Sequence, residues 1–132
     1  MEEKLFGFEK LEAYKKSRFL VKEICNILNS FPIEERFALC NQMRRAVISI
    51  PSNIAEGMGR YSIREQIHFL EIAYGSLLEI YSQLQVSLDL GYISTNVYDN
   101  IRTLIFEVGA MIIKLRELRI NKINEENIPS NL

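Results

Sequence analysis

The chain has 132 residues, of which 16 are Lys or Arg and 17 are Asp or Glu, so its net charge is −1. With 48% hydrophobic and 25% charged residues, it has the composition of one folded domain rather than of a disordered chain. The charge balance argues against a protein built mainly to coat nucleic acid. No apolar run is long enough to span a membrane, and the N-terminus is too charged for a signal peptide.

Helical periodicity dominates the first half of the chain. Apolar residues spaced three or four apart predict a first helix from about residue 8 to residue 29. Pro32 is expected to open the second helix, because a proline in the first turn lacks only an N–H that would have had no partner there. The second helix is predicted to contain Pro51 and to end at Gly57 and Gly59.

The third helix has clear start and stop signals in the sequence. Ser62 and Glu65 have the spacing of a capping box, in which the serine side chain accepts a bond from the backbone three residues later. Gly91 follows the last apolar residue and is expected to end the helix in the left-handed conformation. These signals predict one long helix between them.

The fourth helix is capped by Ser94 or Thr95 and is expected to lose its order after residue 123. This divides the chain into a four-helix bundle over residues 1–123 and a flexible polar tail over residues 124–132. No segment alternates with period two, so no sheet is predicted. Short connections force neighbouring helices antiparallel, and the predicted fold is therefore an all-α, up-down-up-down four-helix bundle.

The helices carry more large apolar residues than one buried face each requires. Leu78, Phe106 and Ile113 are among those that lie off the main apolar stripes. A remainder of this size predicts a further buried surface and hence a homo-oligomer. Gly75 and Gly109 lie inside predicted helices, and we expect each to mark a close approach between helices.

A proline inside a helix costs roughly 3 kcal/mol, so we expect a kink at Pro51 with contacts that compensate for it. Polar residues recur along one side of the second helix, and we predict that they form a buried or half-buried seam against the third. In the expected register Arg45 lies near Glu79, Asn53 lies near His68, and Ser49 lies near Ser76 or Gly75. The predicted seam consists of Gln42, Arg45, Ser49, Pro51, Asn53, Glu56 and Glu79.

The segments FPIEERFALCNQMRRAVISIPSNIAEGMGR, FLEIAYGSLLEIYSQL and LGYI give the chain a family resemblance. Over residues 8 to about 122 it resembles the four helix bundle protein family, also called the 23S rRNA-intervening-sequence protein family. The resemblance implies a cytoplasmic, bacterial four-helix bundle that assembles as a ring-like homopentamer. Related proteins are accessory factors of the reverse transcriptases of diversity-generating retroelements, where a basic surface is thought to bind nucleic acid and the polymerase. The resemblance does not imply an enzyme.

Two clusters of basic residues are the candidates for contact with nucleic acid. One lies on the first helix and the other on the fourth, and in an up-down bundle the two could merge into a single patch that holds phosphates. The alternative is an ordinary solvated surface, since Glu12 and Glu117 offer partial neutralisation. The candidates are Lys15, Lys16, Arg18, Lys22, Lys114, Arg116, Arg119 and Lys122.

Each enzyme class lacks its minimum set of residues in this sequence. His68 is the only histidine, Cys25 and Cys40 form no CxxC pair, and there is no phosphate-binding glycine loop. We therefore expect no cofactor, no metal and no small-molecule substrate, and two reduced, buried cysteines. The leading interpretation is a non-catalytic homo-oligomeric scaffold that binds RNA or a nucleic-acid-processing protein. The alternative is a protein-binding adaptor without nucleic-acid contact.

Overall fold

The structure is a computed structural model that describes residues 6–127, and within that range it contains helices and turns but no strand. Four long helices follow one another: α1 (Glu12–Leu28), α2 (Leu39–Met58), α3 (Ile63–Asp89) and α4 (Thr95–Glu126). The prediction of an all-helical fold built from four helices is therefore confirmed.

The chain before α1 is not the continuous helix that the sequence predicted from about residue 8. Gly7–Lys10 forms a 3-10 turn, Leu11 is extended with φ −73° and ψ 129°, and α1 begins at Glu12. The ring of Phe8 packs edge-on against that of Tyr14, with 4.8 Å between the centroids. Residues six apart do not face each other on a helix, so this contact requires the break at Leu11.

The second helix also starts later than predicted. Pro32 precedes a 3-10 turn at Ile33–Glu35, and α2 begins only at Leu39. Phe31 is buried, and its ring centroid lies 5.3 Å from that of Tyr92 in the α3–α4 connection. The expectation that Pro32 opens the helix is wrong, because the packing of Phe31 on Tyr92 holds a turn where local preference would allow a helix.

The predicted caps at the starts of the two longer helices are present, although within residues 6–127 no hydrogen bond between the Glu65 side chain and the backbone of Ser62 completes the capping box. The Ser62 hydroxyl accepts a hydrogen bond from the backbone N–H of Glu65 at 3.2 Å. Ser94, rather than the threonine after it, caps α4 by accepting from the N–H of Val97 at 3.1 Å. Gly91 has φ +77°, the left-handed conformation that a side chain would oppose. Local sequence signals thus suffice to place these helix ends.

The fourth helix ends at Glu126, three residues beyond the point where the sequence predicted its order to fade. Residues 124–126 of the predicted tail are therefore helical. Residues 128–132 lie outside the described residues, so the flexible character of that part stays a prediction, as does the division of the chain at residue 123.

Side chains from all four helices form one core. α1 packs on α2 and α4, and α3 packs on the same two helices. Gly57, near the end of α2, meets Phe69, near the start of α3, whereas Met43, early in α2, meets Ser87, late in α3. The largest fully buried side chains include Leu20, Ile24, Met43, Ile50, Ile54, Leu70, Ile80, Leu84 and Ile112.

Glycines mark close helix contacts, though not all of those that the sequence suggested. A Cβ added at Gly109 would lie 3.2 Å from Leu77 Cδ2 on α3, which confirms a close approach. A Cβ added at Gly75 would have no neighbour within 4 Å, so Gly75 does not mark a close approach between helices of one chain. The tightest contact is at Gly57, where an added Cβ would lie 2.7 Å from Phe69 Cβ. The sequence analysis had treated Gly57 only as a helix terminator.

Candidate interaction surfaces

Pro51 is buried inside α2, but it faces α1 rather than α3. Together with Tyr14, Arg18 and Ile48 it lines a groove of about 350 Å³ between α1 and α2. The predicted seam toward α3 lies on the other side of α2. Pro51 is therefore not a member of that seam, because the helical period turns it toward α1 while Ser49, two residues earlier, meets α3.

The centre of the predicted polar contact between α2 and α3 is present. The hydroxyls of Ser49 and Ser76 hydrogen-bond each other at 2.8 Å across the two helices. The Asn53 amide donates to both the carbonyl and the hydroxyl of Ser49, each at 2.8 Å. These three side chains are half-buried, while His68, the expected neighbour of Asn53, is exposed. The amide of Asn53 thus binds Ser49, one turn earlier in its own helix, instead of a residue of α3.

The other members of the predicted seam lie at its solvated edge. Gln42, Arg45 and Glu79 line a groove of about 390 Å³ between α2 and α3. Arg45 and Glu79 share this groove, but within residues 6–127 they do not form an ion pair. Glu56 forms an ion pair of 2.8 Å with Arg60, four residues later, and not with a residue of α3. An ion pair between solvent-exposed side chains contributes little stability, so nothing holds Arg45 and Glu79 together. The polar contact between α2 and α3 therefore involves fewer residues than the sequence predicted.

Most of the basic candidates on α1 have partners within the bundle. Lys16 pairs with Glu107 on α4, with 2.6 Å between the charged atoms, and Lys15 lies 3.6 Å from Glu12. The guanidinium of Arg18 lies over the ring of Tyr14, 5.7 Å from its centroid. Lys22 is exposed. The positive charge of this cluster is partly neutralised by its own neighbours, which weakens its attraction for phosphates.

The basic candidates on α4 point in two directions. Lys114 lines a small groove with residues of α1, and Lys122 is exposed. Arg116 and Arg119 instead reach α3, where they donate to Glu71 at 3.1 Å and to Gln66 at 3.0 Å. The eight predicted candidates therefore do not form one merged patch between α1 and α4, because the two arginines lie on the opposite side of α4.

An apolar groove of about 320 Å³ runs between α3 and α4. Leu78, Phe106 and Ile113 line it and are 52%, 48% and 41% exposed. Gly109 has no side chain, so α4 comes close to Leu77 of α3 at the floor of the groove. Among residues 6–127, no charged residue lines the groove. These three large residues are among those that the sequence analysis found in excess of the core.

A hydrogen-bonded cluster stands at one end of this groove, and the sequence analysis missed it. The hydroxyl of Tyr81 accepts from Tyr98 at 3.4 Å and from the Arg102 guanidinium at 2.8 Å. These bonds favour the phenolate and lower the pKa of Tyr81 from its ordinary value. Arg102 also lies over the ring of Phe106, 4.2 Å from its centroid. No local sequence signal pairs Tyr81 with a residue 21 positions later.

Within residues 6–127, no group of three or more His, Cys, Asp or Glu side chains could hold a metal ion. None of the helices in this range combines the length and the apolar character needed to cross a membrane.

Comparison with known families assigns the sequence to one of them. The model of the family described as 23S rRNA-intervening sequence protein matches residues 9–114. The chain belongs to this family. The resemblance drawn from the motifs around Pro51 and Gly75 is thereby confirmed. Among curated proteins, no sequence matches this chain.

A solved structure has a fold similar to that of this chain. It is the crystal structure of a protein with unknown function from the S23 ribosomal protein family of Bacteroides thetaiotaomicron VPI-5482. The two chains superpose with a TM-score of 0.74 and share 24% sequence identity, over 80% of this chain and 95% of the other. At that identity, the likeness establishes a common fold and nothing about function.

Proposed function

We propose that this protein is a non-catalytic, homo-oligomeric scaffold built on an up-down-up-down bundle that is bent at Pro51. The opposite sequence order of the α2–α3 contacts supports the topology, since Gly57 meets Phe69 and Met43 meets Ser87. The missing N–H of Pro51 supports the bend, because one backbone hydrogen bond of α2 cannot form.

The apolar groove between α3 and α4 is the observation that carries the proposal. Leu78, Phe106 and Ile113 each leave about half of their surface exposed, without a charged residue among the groove's lining. Contiguous apolar surface of this kind marks an interaction site. A second copy of the chain is the occupant that we propose. The family resemblance implies a ring of five copies, in a cytoplasmic protein of bacterial origin.

Sedimentation velocity over a range of micromolar concentrations tests the assembly. Leu78→Glu places a charge in the groove and should yield monomers at concentrations where the wild type is assembled. Leu90→Glu is the matched control, because Leu90 directly follows the same helix, is 54% exposed and does not line the groove. A monomeric wild type, or equal dissociation of the two variants, would contradict the proposal.

Contact with RNA or with a nucleic-acid-processing protein is the second part of the proposal. Lys22, Lys114 and Lys122 are exposed on α1 and α4 and support it. Binding of structured RNA should weaken steeply between low and moderate salt, because phosphate contacts release counterions. Salt-insensitive capture of one protein, without RNA binding, would instead favour the adaptor function. Replacing the three lysines by Gln, with Arg45→Gln in the α2–α3 groove as a control on another side of the bundle, separates the two outcomes.

A further inference from the structure

A pocket at one end of the bundle contains two arginines that the proposed scaffold function does not use. It has a volume of about 260 Å³ and lies where the end of α1, the turn after it and the start of α2 meet. Its polar lining includes Asn29, Arg36 and Arg44, and its wall includes Phe31 and Cys40. None of these residues belongs to the predicted basic clusters on α1 and α4.

Neither arginine of this pocket has an acidic partner within residues 6–127. Arg60 and Arg116 form ion pairs of 2.8 and 3.0 Å, but Arg36 and Arg44 form no ion pair and no side-chain hydrogen bond in the same range. Glu35 is near enough to act electrostatically on Cys40, yet no carboxylate lies within 4.0 Å of either guanidinium. The pocket therefore has unpaired positive charge.

The Cys40 thiol lines the same pocket as Arg36 and Arg44 and does not neutralise their charge. Burial is the largest effect on this thiol and raises its pKa above the ordinary value. The thiol is therefore protonated at neutral pH and presents no competing anion.

We propose that this pocket binds a phosphate monoester, held by the guanidiniums of Arg36 and Arg44. The planar fork of a guanidinium matches two phosphate oxygens, and two such forks balance a dianion. The volume exceeds that of a phosphate alone, and Phe31 and Ile33 offer apolar surface to the organic part of the ligand. An apolar helix from a partner would bury both guanidiniums without a counter-charge, which is strongly unfavourable.

Two sources could supply this phosphate group, a free nucleotide or the 5′ end of an RNA strand. Phe37, on the turn beside Arg36, is 87% exposed and could stack on a base. Both sources share the same chemistry at the two arginines. The site is separate from the groove between α3 and α4, so phosphate binding and assembly can fail independently.

Isothermal titration of the wild type with inorganic phosphate, AMP and a short 5′-phosphorylated RNA tests the proposal, with the 5′-hydroxyl RNA and acetate as controls. The phosphorylated probes should bind saturably and acetate should not. The 5′-hydroxyl RNA should bind more weakly than its phosphorylated counterpart, because any contact with the exposed lysines of α1 and α4 is common to both strands. Tighter binding of AMP than of phosphate would assign the site to a free nucleotide, and preference for the phosphorylated RNA would assign it to an RNA end. Absence of saturable binding by all three phosphate probes would overturn the proposal.

Substitution of the arginines identifies the site. Arg36→Gln and Arg44→Gln should each weaken binding by about 10- to 100-fold, the effect of losing charge-assisted hydrogen bonds. Arg64→Gln, at an exposed position on α3, removes the same charge and should leave the Kd unchanged. Arg44→Lys keeps the charge without the fork and should give an intermediate loss, with circular dichroism as the check on folding. Equal Kd values for the three Gln variants would also overturn the proposal.

Discussion

Replacing Gly57 by Ala tests the close packing of α2 on α3. The added Cβ would lie 2.7 Å from Phe69 Cβ and 3.4 Å from the backbone oxygen of Gln66. Carbon atoms in good contact are about 3.5–4.0 Å apart, so the first distance is too short by roughly 1 Å. The Cβ of Phe69 is attached directly to the α3 backbone and cannot rotate away. The two helices must therefore move apart.

Two opposing terms set the magnitude. Alanine is favoured over glycine in a helix by at most about 1 kcal/mol, and Gly57 lies only one residue before the end of α2. Overpacking a tight interior costs about 1–3 kcal/mol. We expect Gly57→Ala to lower the free energy of unfolding by about 1–2 kcal/mol, which corresponds to roughly 3–5 °C in Tm for each kcal/mol in a chain of this size.

Gly75→Ala is the matched control, because the same change on α3 meets no atom within 4 Å. It should raise the free energy of unfolding by up to about 1 kcal/mol. Urea unfolding followed by circular dichroism, at several protein concentrations to separate folding from assembly, measures both variants. If Gly57→Ala is as stable as Gly75→Ala, the close packing argued at Gly57 is wrong.

Three further outcomes follow from individual contacts. Ser76→Ala should cost about 1 kcal/mol, because it breaks the bond between the Ser49 and Ser76 hydroxyls. Ser49→Ala should cost more, because it also removes the hydroxyl that accepts from the Asn53 amide. The double variant should cost about the same as Ser49→Ala alone, and additive losses in urea unfolding would refute the bond between the two serines. Cys40 is buried with a raised pKa, so its reaction with a thiol reagent should be slow until urea unfolds the protein, and rapid reaction in the folded state would contradict its burial. Arg102→Gln should raise the pKa of Tyr81 toward its ordinary value of 10.0 in an ultraviolet titration. Because the folded-state pKa of Tyr81 is lowered, the stabilisation from its ionisation exists only at alkaline pH and vanishes as the pH falls through that pKa, so wild type and variant should differ more at alkaline pH than at neutral pH.

The sequence predicted the elements whose signals are local. Ser62, Ser94 and Gly91 mark helix ends through bonds to their own neighbours or through their own backbone conformation. The apolar stripe of α2 likewise identifies Met43 and Ile54 as core residues. Such features depend on residues within one or two turns, which a sequence displays directly.

The sequence failed where distant residues compete with local preference. The starts of α1 and α2 are displaced by contacts of Phe8 with Tyr14 and of Phe31 with Tyr92. Pro51 was placed in the polar seam because the seam was expected to compensate for its kink, yet Pro51 and Ser49 face different helices. Periodicity gives the angle of a side chain around its own helix but not the helix that it meets.

The candidate sites divide along the same line. The exposed apolar residues of α3 and α4 were recognisable as a surplus, but their union into a groove beside Gly109 required the packed helices. Arg36 and Arg44 are eight positions apart with no motif between them, and only the fold places them in one pocket. The basic residues of α1 and α4 were visible in the sequence, whereas their internal partners Glu107 and Glu71 were not.

The sequence by itself determined that this chain forms four helices, where two of them are capped, and to which family it belongs. The tertiary structure decided which charged side chains form ion pairs, which glycines lie where two helices approach closely, and which arginines share a pocket. The physical reason is range: capping and periodicity act within a few residues, whereas ion pairs and close packing join residues that lie tens of positions apart until the helices pack.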